Sequence, residues 1–388
     1  MDAHGTGPGP VEKLPGFGTT IFTVMSQLAA EHDAINLAQG FPDFDGPKAL
    51  RDRVEHHLAA GHNQYAPLAG VTALREAIAR KVQGLYGFAA DPERHITVTP
   101  GATEAIYCAL TAVVHAGDEV IVIDPAYDTY VPGILLNGGV PHRIPLRDPG
   151  FGVDWARVEE AISPRTRVLM LNSPHNPSGR CFDSSDIDAL RDIMARHDLL
   201  LISDEVYEHI VFDGRRHLSI LCDRELAERA FVVSSFGKTY HVTGWRIGYC
   251  VAPGRLMAQF RRVHQFINFS TNTPISCALA DFMRDAPEFH RELAGFYQKK
   301  RDLFCTLLND SRFRLAPAEG TYFQLADYAR ISDLPDTEFA RELTIQHGVA
   351  AIPVSVFYES PPESRVVRFC FAKEDDTLRE AARRIASL

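Results

Sequence analysis

The sequence predicts an α/β fold in which helices cover a mostly parallel sheet, together with a second, smaller α+β domain. The first reason is that short runs of Val, Ile and Leu alternate with helical patterns through the middle of the chain. The second is that most of these runs end in a cluster of polar residues. The third is that 388 residues exceed what a single hydrophobic core usually fills.

Composition and charge limit the classes of function. The chain is 45% hydrophobic and 23% charged, which is ordinary for a soluble globular protein. Its formal net charge of -10 argues against a duplex-DNA surface. No apolar run approaches the roughly 20 residues that a membrane-spanning helix needs. We therefore expect neither a nucleic-acid partner nor a membrane partner.

The cysteines and the first residues indicate the compartment. The seven cysteines are scattered along the sequence and include no C-x-x-C pair. This pattern predicts a reducing compartment, by default the cytoplasm, without a disulfide framework and without a metal site. Residues 1–13 are predicted to be a flexible tail, because the chain begins with a Gly- and Pro-rich stretch that lacks the apolar segment of a signal peptide.

The large domain is predicted to span residues 46–285 and to contain six strands. These strands are residues 96–99, 119–123, 168–171, 199–203, 231–234 and 247–251. Helical patterns in the same domain cover residues 103–114, 185–196 and the region around 225–228. Continuous apolar strands interleaved with helices favour a parallel sheet that is buried on both faces.

The C-terminal part of the chain has a different pattern, and we assign residues 286–388 to the smaller domain. A helix is predicted over residues 287–309, and a closing helix is predicted from Thr377. Short strands are predicted between these helices, at residues 321–325, 349–353 and 366–371. Residues 14–45 are expected to pack against this domain.

Polar residues follow five of the predicted strands. They are residues 100–103, 124–125, 172–174, 204–205 and 234–238. Ligands of open α/β sheets bind just beyond the carboxyl ends of the strands. We therefore expect these five clusters to form one shared site.

Gly101 and Thr103 stand where a predicted strand passes into a helix. The first amides of a helix have no partner within it and favour an anion. Gly101 permits close approach of the backbone to a ligand, and Thr103 adds a hydroxyl group. A plain helix cap by Thr103 is the alternative, since Thr is common at that position. The chain contains neither a Walker loop nor a G-x-G-x-x-G motif.

Lys238 stands at the end of a predicted buried strand, which is unusual because burial disfavours an ammonium ion. Burial lowers the pKa of a lysine and makes its amine a usable nucleophile. Arg246 follows between Gly244 and Gly248, and could pair with a phosphate dianion. The alternative is that Lys238 and Arg246 are surface charges, which their apolar flanks disfavour.

Asp204 closes another apolar strand, and a buried carboxylate there needs a cation. A pyridinium nitrogen would serve, and the alternative is a cap of the next helix. Glu205 is not expected to act with Asp204 on one bond, because successive strand residues face opposite sides. Asn176 precedes Pro177, which favours an extended backbone at Asn176 and so a fixed direction for its side-chain amide. His175, in the same polar turn, is expected to be solvated.

Together these motifs resemble the fold-type I pyridoxal 5'-phosphate (PLP) enzymes, and specifically the class I aminotransferases. The resemblance spans almost the whole chain and rests on an ordered signature of Tyr65, Gly101-Ala102-Thr103, Asn176-Pro177, Asp204-x-x-Tyr207, Ser235-x-x-Lys238, Arg246 and Arg368. Four further segments are similar to the methionine and kynurenine (glutamine-K) aminotransferases. They are Gln39-Gly-Phe-Pro-Asp-Phe, Asn63-Gln-Tyr-Ala-Pro, Pro353-Val-Ser-Val-Phe and Arg368-Phe-Cys-Phe-Ala-Lys.

The resemblance implies PLP as the cofactor and a role for each matching residue. Lys238 would carry the cofactor as a Schiff base and later move the proton of the substrate Cα. Asp204 would hold the ring nitrogen, and Tyr207 and Asn176 would bind the ring hydroxyl. Tyr127 would stack on the ring face.

The resemblance also implies how the two ends of the bound molecules are held. The phosphate would be bound by Ala102, Thr103, Ser235 and Arg246, with help from Tyr65 of the second subunit of a homodimer, and Gly101 would be a further cofactor-binding residue. Arg368 would bind the substrate α-carboxylate bidentately, which a lysine could not copy. The backbone of Gly40 and the side chain of Asn176 would assist Arg368.

The sequence determines the identity of the substrate side chain less well than it determines the cofactor and the α-carboxylate site. No second arginine of the kind that aspartate-specific relatives use is evident. Aromatic residues are predicted to line the pocket instead, namely Phe17, Phe22, Tyr65, Tyr127 and Phe269, although core packing is the alternative for Phe17 and Phe22. Rings favour large neutral or sulfur-containing side chains. The predicted donors are methionine, aromatic amino acids or kynurenine, and the acceptor is a 2-oxo acid.

Three rival functions are weaker. Ser235-Phe-Gly-Lys238 matches the S-x-x-K motif of penicillin-binding proteins, but the S-D-N and K-T-G segments of that class do not occur. PLP-sensing transcription regulators carry an N-terminal DNA-binding domain, for which the stretch before Leu14 is too short. Cysteine-conjugate β-lyases form the same Cα carbanion, so this reaction is the runner-up.

Overall fold

The computed structural model describes residues 12–147 and 150–388, so most of the predicted tail lies outside the described residues. The strands are β1 (Ile35–Asn36), β2 (Ile96–Thr99), β3 (Glu119–Asp124), β4 (Val140–Pro145), β5 (Thr166–Asn172), β6 (Leu200–Asp204), β7 (Ala230–Ser235), β8 (Gly248–Val251), β9 (Phe323–Asp327), β10 (Val349–Ala350), β11 (Ile352–Pro353) and β12 (Val366–Cys370). The helices are α1 (Ile21–Glu31), α2 (Lys48–Ala59), α3 (Thr72–Tyr86), α4 (Gly101–Val113), α5 (Tyr130–Leu136), α6 (Trp155–Glu160), α7 (Ser184–Arg196), α8 (Arg224–Ala227), α9 (Phe236–Thr239), α10 (Gly254–Ile267), α11 (Thr273–Asp285), α12 (Phe289–Leu307), α13 (Asp336–His347) and α14 (Asp375–Ile385).

A seven-stranded sheet with the order β2-β8-β7-β6-β5-β3-β4 forms the centre of the molecule. The strands from β7 to β4 pair in parallel, and β8 runs antiparallel to both of its neighbours. All six predicted strands are present, and the prediction of a mostly parallel sheet is confirmed. β4 is not among the six predicted strands. This edge strand contains Pro141, His142 and Arg143, and edge strands tolerate proline and charge.

Helices cover both faces of this sheet, and side chains alternate between two cores. Val120 and Val122 of β3 pack with α4, α5 and α10 on one face. Ile121 and Ile123 of the same strand pack with α3, α7 and α11 on the other face. Since both faces are buried, the strands read as continuous apolar runs in the sequence.

The helix boundaries near the site follow from local chemistry. Gly101 begins α4 directly after Pro100, and no side chain caps this helix, so the alternative of a Thr103 cap is wrong. α7 begins with a reciprocal capping box between Asp183 and Asp186. None of the described helices has the length and apolarity to cross a membrane.

The C-terminal residues form a separate antiparallel sheet with the order β11-β12-β9. β1, from near the N-terminus, pairs in parallel with β10. Met25 and Leu28 of α1 share a core with Tyr297, Phe304 and Phe369. The segment before the large sheet therefore contacts the C-terminal part of the chain, and we keep the domain limits at 45/46 and 285/286 as a proposal.

Candidate active site

A cavity of about 560 Å³ opens where three parallel strands end. Asn172, Asp204 and Ser235 are the last residues of β5, β6 and β7, and all three line it. Gly40, from the segment after β1, and Arg368 of β12 also line it. The cavity therefore lies between the large sheet and the C-terminal sheet, at the edge where the sequence predicts a shared site.

Four predicted phosphate ligands line the cavity, namely Ala102, Thr103, Ser235 and Arg246. Together with Gly101, which lies against Arg246, they form what we call the anion end. Ala102 and Thr103 lie in the first turn of α4, where the backbone amides have no partner within the helix. A helix start of this kind carries a partial positive charge and favours an anion.

Arg246 lies against the start of α4. The backbone of Gly101 has a φ of 80°, and a Cβ atom there would come within 2.9 Å of Arg246 Nη2. Arg246 itself has a φ of 50°, which costs a residue with a side chain roughly 1–3 kcal/mol. Its Nη1 donates a hydrogen bond to the Thr243 carbonyl, and no carboxylate within residues 12–147 and 150–388 forms an ion pair with it. The guanidinium is therefore held in place and open to an anionic ligand.

Lys238 lies in α9, directly after β7, and its side chain reaches into the cavity. Its Nζ donates a hydrogen bond of 3.0 Å to the Tyr322 hydroxyl, which in turn donates one of 2.7 Å to the Gly40 carbonyl. Burial lowers the pKa of Lys238 to about 8. A useful fraction of the amine is therefore neutral near physiological pH.

Asp204 is buried at the end of β6. The Tyr130 hydroxyl donates a hydrogen bond of 2.7 Å to its Oδ2, and the Val206 amide donates one of 3.2 Å to its Oδ1. Burial nevertheless raises the pKa of Asp204 to about 6. The neighbouring Glu205 points away and contacts His217 at 2.9 Å, so the two carboxylates do not share a site, as the sequence analysis expected.

Another part of the site, which we call the carboxylate end, consists of the lining residues Arg368, Asn176 and Phe323 and of the Ala38 carbonyl that binds Arg368. Arg368 is 0% exposed. Its Nη1 donates to Asn176 Oδ1 at 2.7 Å and its Nη2 to the Ala38 carbonyl at 3.0 Å. Its guanidinium carbon lies 3.8 Å from the centre of the Phe323 ring.

The charge of Arg368 is only partly compensated. Its Nε is buried and has no hydrogen-bond partner among the described residues. Burial lowers the pKa of the guanidinium to about 10. A buried cation without a paired carboxylate is costly, so an incoming carboxylate would relieve the cost of desolvation.

Tyr207 and Tyr127 complete the middle of the cavity. Tyr207 is buried and packs edge-on against Tyr322, with ring centres 5.1 Å apart. Lys238 Nζ lies 5.6 Å from the centre of the Tyr207 ring. Tyr127 also lines the cavity, where burial raises the pKa of its hydroxyl.

Tyr65 lies outside the cavity of its own chain. Its side chain is 83% exposed and packs edge-on against Phe269, with ring centres 5.4 Å apart. Of the other rings predicted to line the pocket, Phe22 and Tyr127 do so, whereas Phe17 and Phe269 do not. The prediction for Phe17 and Phe269 is therefore wrong for the single chain, because both lie on partly exposed surface.

His175 does not behave as the sequence analysis expected. It is buried rather than solvated, and its Nδ1 lies 2.7 Å from the Ser178 hydroxyl. Burial lowers its pKa to about 4. The strand ends around it exclude water, which the polar character of the turn does not reveal.

Further residues at the site were not among the predicted ones, and three of them contact predicted residues or lie beside them. Tyr130 bonds to Asp204, Tyr322 joins Lys238 to Gly40, and Asp128 lines the wall next to Tyr127. Burial raises the pKa of Asp128, although the charge of Arg368 opposes that shift. The position of Asp128 three residues after the predicted 124–125 cluster was the one available signal.

The comparisons with known proteins agree with this geometry. The family model "Aminotransferase class I and II" matches residues 32–385. The methionine aminotransferase of Escherichia coli (strain K12) is 54% identical over 379 residues, which cover 98% of this chain and 98% of that protein. The kynurenine--oxoglutarate transaminase of Dictyostelium discoideum is 31% identical and covers 96% of this chain and 94% of that protein.

Solved structures give the same result. An Escherichia coli protein with a methionine aminotransferase function superposes with a TM-score of 0.96 at 54% identity and covers 98% of this chain and 100% of that chain. The N-succinyldiaminopimelate aminotransferase of Mycobacterium tuberculosis superposes with a TM-score of 0.94 at 38% identity and covers 97% and 99%. The chain therefore belongs to the class I and II aminotransferase family and is an aminotransferase.

Proposed function

We propose that this aminotransferase uses PLP to move an amino group from a large neutral, sulfur-containing or aromatic L-amino acid to a 2-oxo acid. One observation carries the proposal: a single cavity holds an anion end, a buried amine, a buried carboxylate and a buried guanidinium. The last three belong to Lys238, Asp204 and Arg368. These groups are of the kinds that the phosphate, aldehyde and ring nitrogen of PLP and the carboxylate of an amino acid require.

The residues present fit the cofactor. Arg246 and the amides of α4 are open to a dianion. Asp204 is buried without a cation close enough to keep its pKa low, and a protonated ring nitrogen would supply one. Tyr207 and Asn176 would bind the ring hydroxyl, and Tyr127 would cover the ring face.

Bound PLP supplies an aldehyde that condenses with amines and an electron-withdrawing ring that accepts charge from the substrate Cα. Lys238 would hold the cofactor through its amine, whose lowered pKa favours the neutral nucleophile. Once a substrate amine had displaced it, the free amine of Lys238 would take the proton from the substrate Cα and deliver it to the carbon of the cofactor aldehyde. Arg368 fixes the α-carboxylate, and this fixes the direction in which the Cα–H bond points.

The cavity wall supports the proposed substrate class. Phe22, Phe41, Ile106 and Phe323 contribute apolar surface. Among the described residues that line the cavity, the arginines are Arg246 and Arg368, so no further guanidinium is available for a distal carboxylate. The names of the methionine and kynurenine relatives support the same donors: methionine, aromatic amino acids and kynurenine. Nothing in the cavity or in the comparisons favours the cysteine-conjugate β-lyase.

We propose further that the protein is a homodimer in which Tyr65 completes the anion end of the partner subunit. Tyr65 is exposed and packs against Phe269, which is 47% exposed, and Phe266, three residues before Phe269, is 84% exposed. Large exposed rings on one surface are typical of a protein–protein contact. The seven cysteines, all free, support a reducing compartment, which we take to be the cytoplasm.

An absorbance spectrum tests the proposal. The purified protein, reconstituted with PLP, is expected to show a visible band that moves to the near ultraviolet when L-methionine is added without an oxo acid. No visible band after reconstitution would contradict the cofactor. A band that persists while ammonia and a 2-oxo acid accumulate from a cysteine conjugate would identify the lyase instead.

The replacement Lys238→Ala tests the central residue. It is expected to abolish turnover and still permit PLP to bind without a covalent bond, as measured by dialysis. Lys299→Ala, an exposed lysine on α12, is the matched control and should keep full activity. Wild-type turnover by Lys238→Ala would refute the assignment.

A further inference from the structure

A second group of ligand-type side chains lies outside the cavity, where α2 and α11 pack together. His57, His62 and Cys277 each present one ligand atom, and these atoms lie within 4.8 Å of one another. His57 is in the last turn of α2, His62 is in the following loop, and Cys277 is on α11. Their distance along the sequence explains why cysteine spacing alone predicted no metal site.

We propose that His57, His62 and Cys277 form a binding site for one Zn²⁺ ion per chain. Two imidazole nitrogens and a thiolate are ligands that zinc prefers, and three protein ligands leave a fourth position for water. The Nδ1 atoms of His57 and His62 are 2.7 Å apart. A tetrahedral zinc ion needs about 3.3 Å between two nitrogen ligands, so a small movement of one ring admits the ion.

The movement required falls on the more exposed of the two rings. His62 is exposed on a short loop, whereas His57 is 7% exposed. The loop is already folded back, because the His62 amide donates a hydrogen bond to the His57 carbonyl and Gly61 has a φ of 85°. The rings stack with centres 4.9 Å apart. The loop and the two imidazole rings are therefore already largely ordered, so little conformational entropy is lost when an ion binds.

The surroundings of His57 support a metal ligand. Its Nε2 lies 2.9 Å from Asp281 Oδ2. A carboxylate that accepts the proton of one ring nitrogen leaves the other nitrogen free to bind a metal, and this arrangement recurs around zinc ligands. Asp281 and Cys277 are four residues apart on α11 and so share one face of that helix. The carboxyl end of α2 also favours a cation.

The site lies next to the segment that carries Tyr65. Tyr65 follows His62 by three residues, and the Thr273 and Ser270 hydroxyls donate hydrogen bonds to the Gln64 and Ala66 carbonyls. Bound zinc would add a third point of attachment on the N-terminal side of this segment. This consequence rests on the proposed role of Tyr65, but binding of the ion does not.

Cobalt substitution tests the site directly. Holoenzyme treated with a chelator and titrated with Co²⁺ is expected to bind one ion per chain and to show the near-ultraviolet charge-transfer band of a Co–S bond. Cys277→Ser should lose that band, and His62→Asn should lose high affinity. Asp281→Asn should weaken binding roughly ten- to hundredfold, as expected for a residue that orients a ligand.

Matched controls separate the site from general thiol or histidine binding. Cys222→Ser and His56→Asn replace an exposed cysteine and an exposed neighbour of His57, and both should bind as the wild type does. Zn²⁺ should slow the alkylation of Cys277 by iodoacetamide and leave that of Cys222 unchanged, as followed by mass spectrometry. No charge-transfer band, a band that survives Cys277→Ser, or equal protection of both cysteines would overturn the proposal.

Discussion

Arg246 and Arg368 carry the same charge and line the same cavity, but their surroundings are opposite. Arg246 is exposed, has a strained backbone and has no carboxylate partner among the described residues. Arg368 is completely buried, stacked on Phe323 and hydrogen-bonded to Asn176 and the Ala38 carbonyl. Solvent screens a charge at the first site far more than at the second.

The difference indicates that the two groups bind different kinds of ligand: the anion end would hold the phosphate of a cofactor that stays bound, and the carboxylate end would hold a substrate that is exchanged. At the anion end, backbone amides, a hydroxyl and a hydrated guanidinium each contribute a modest amount, so the loss of one contact should be tolerated. At the carboxylate end, one guanidinium contributes most of the interaction in a dry environment. Single substitutions should therefore have larger effects at the carboxylate end, although that ligand is exchanged in every turnover.

Arg368→Lys is expected to have the largest effect. A lysine cannot form the bidentate contact, and the buried partners would remain unsatisfied, which costs roughly 2–4 kcal/mol. The kcat/KM for methionine should fall about a hundredfold or more, and the dissociation constant of PLP should stay near the wild-type value. Arg365→Lys, on the exposed end of the same segment, is the control. Equal losses of substrate and cofactor would remove Arg368 from the carboxylate role.

Arg246→Gln should have a smaller effect, and on the other ligand. The dissociation constant of PLP should rise roughly tenfold, which corresponds to about 1.4 kcal/mol. The difference between variant and wild type should shrink in high salt, because exposed charges are screened. Arg262→Gln, an exposed arginine of α10, controls for general charge. A hundredfold loss that salt does not change would mean that the anion end is as dry as the carboxylate end.

Gly101→Ala should perturb the anion end through the backbone. The left-handed φ of 80° and the 2.9 Å approach to Arg246 Nη2 predict a loss of about 1–2 kcal/mol in the free energy of unfolding. PLP affinity should fall as well, because the methyl group displaces Arg246. Gly84→Ala, in open space on α3, should instead stabilise the protein by about 0.5–1 kcal/mol. The midpoints of urea unfolding of the two variants measure these opposite changes in stability. Equal midpoints would contradict the prediction.

Tyr130→Phe should have the smallest effect and depend on pH. The Tyr130 hydrogen bond lowers the pKa of Asp204, so its loss should raise that pKa further above its ordinary value. A larger fraction of the carboxyl is then protonated at pH 6, and PLP should bind more weakly there, whereas at pH 8 the difference should be small. Binding titrations at the two pH values measure this, with Tyr107→Phe as the control. A loss that is the same at both pH values would mean that Tyr130 acts by packing alone.

The strand ends show how much of the site the sequence could predict. Asn172, Asp204 and Ser235 end three neighbouring parallel strands, and parallel strands bring their carboxyl ends to one edge, so their meeting follows from topology. Lys238, which directly follows β7, is covered by the same argument. Arg246 instead precedes β8, and it reaches this edge because β8 runs antiparallel to β7. Arg368 could be placed only through the family resemblance, because no local pattern connects β12 with this edge.

The missed residues have a common physical cause. Tyr130 and Tyr322 stand in segments where an aromatic residue usually packs in a core, and their hydroxyl partners are distant in sequence; Tyr322 and Gly40 are 282 residues apart. The burial of His175 likewise depends on elements that the turn itself does not contain. The periodicity of apolar residues predicts which face of a helix or strand is buried, but it does not predict which side-chain hydroxyl forms a hydrogen bond with which distant group.

The hydrogen bond between Arg368 and the Ala38 carbonyl joins residues that are 330 positions apart. Contacts of such high sequence separation form late, because a long loop must close before they can stabilise the chain. During synthesis the large sheet and its anion end can assemble while β12 is still absent. The ability to hold an amino acid therefore arises only after almost the entire chain has been made, and unfinished chains cannot carry out the reaction.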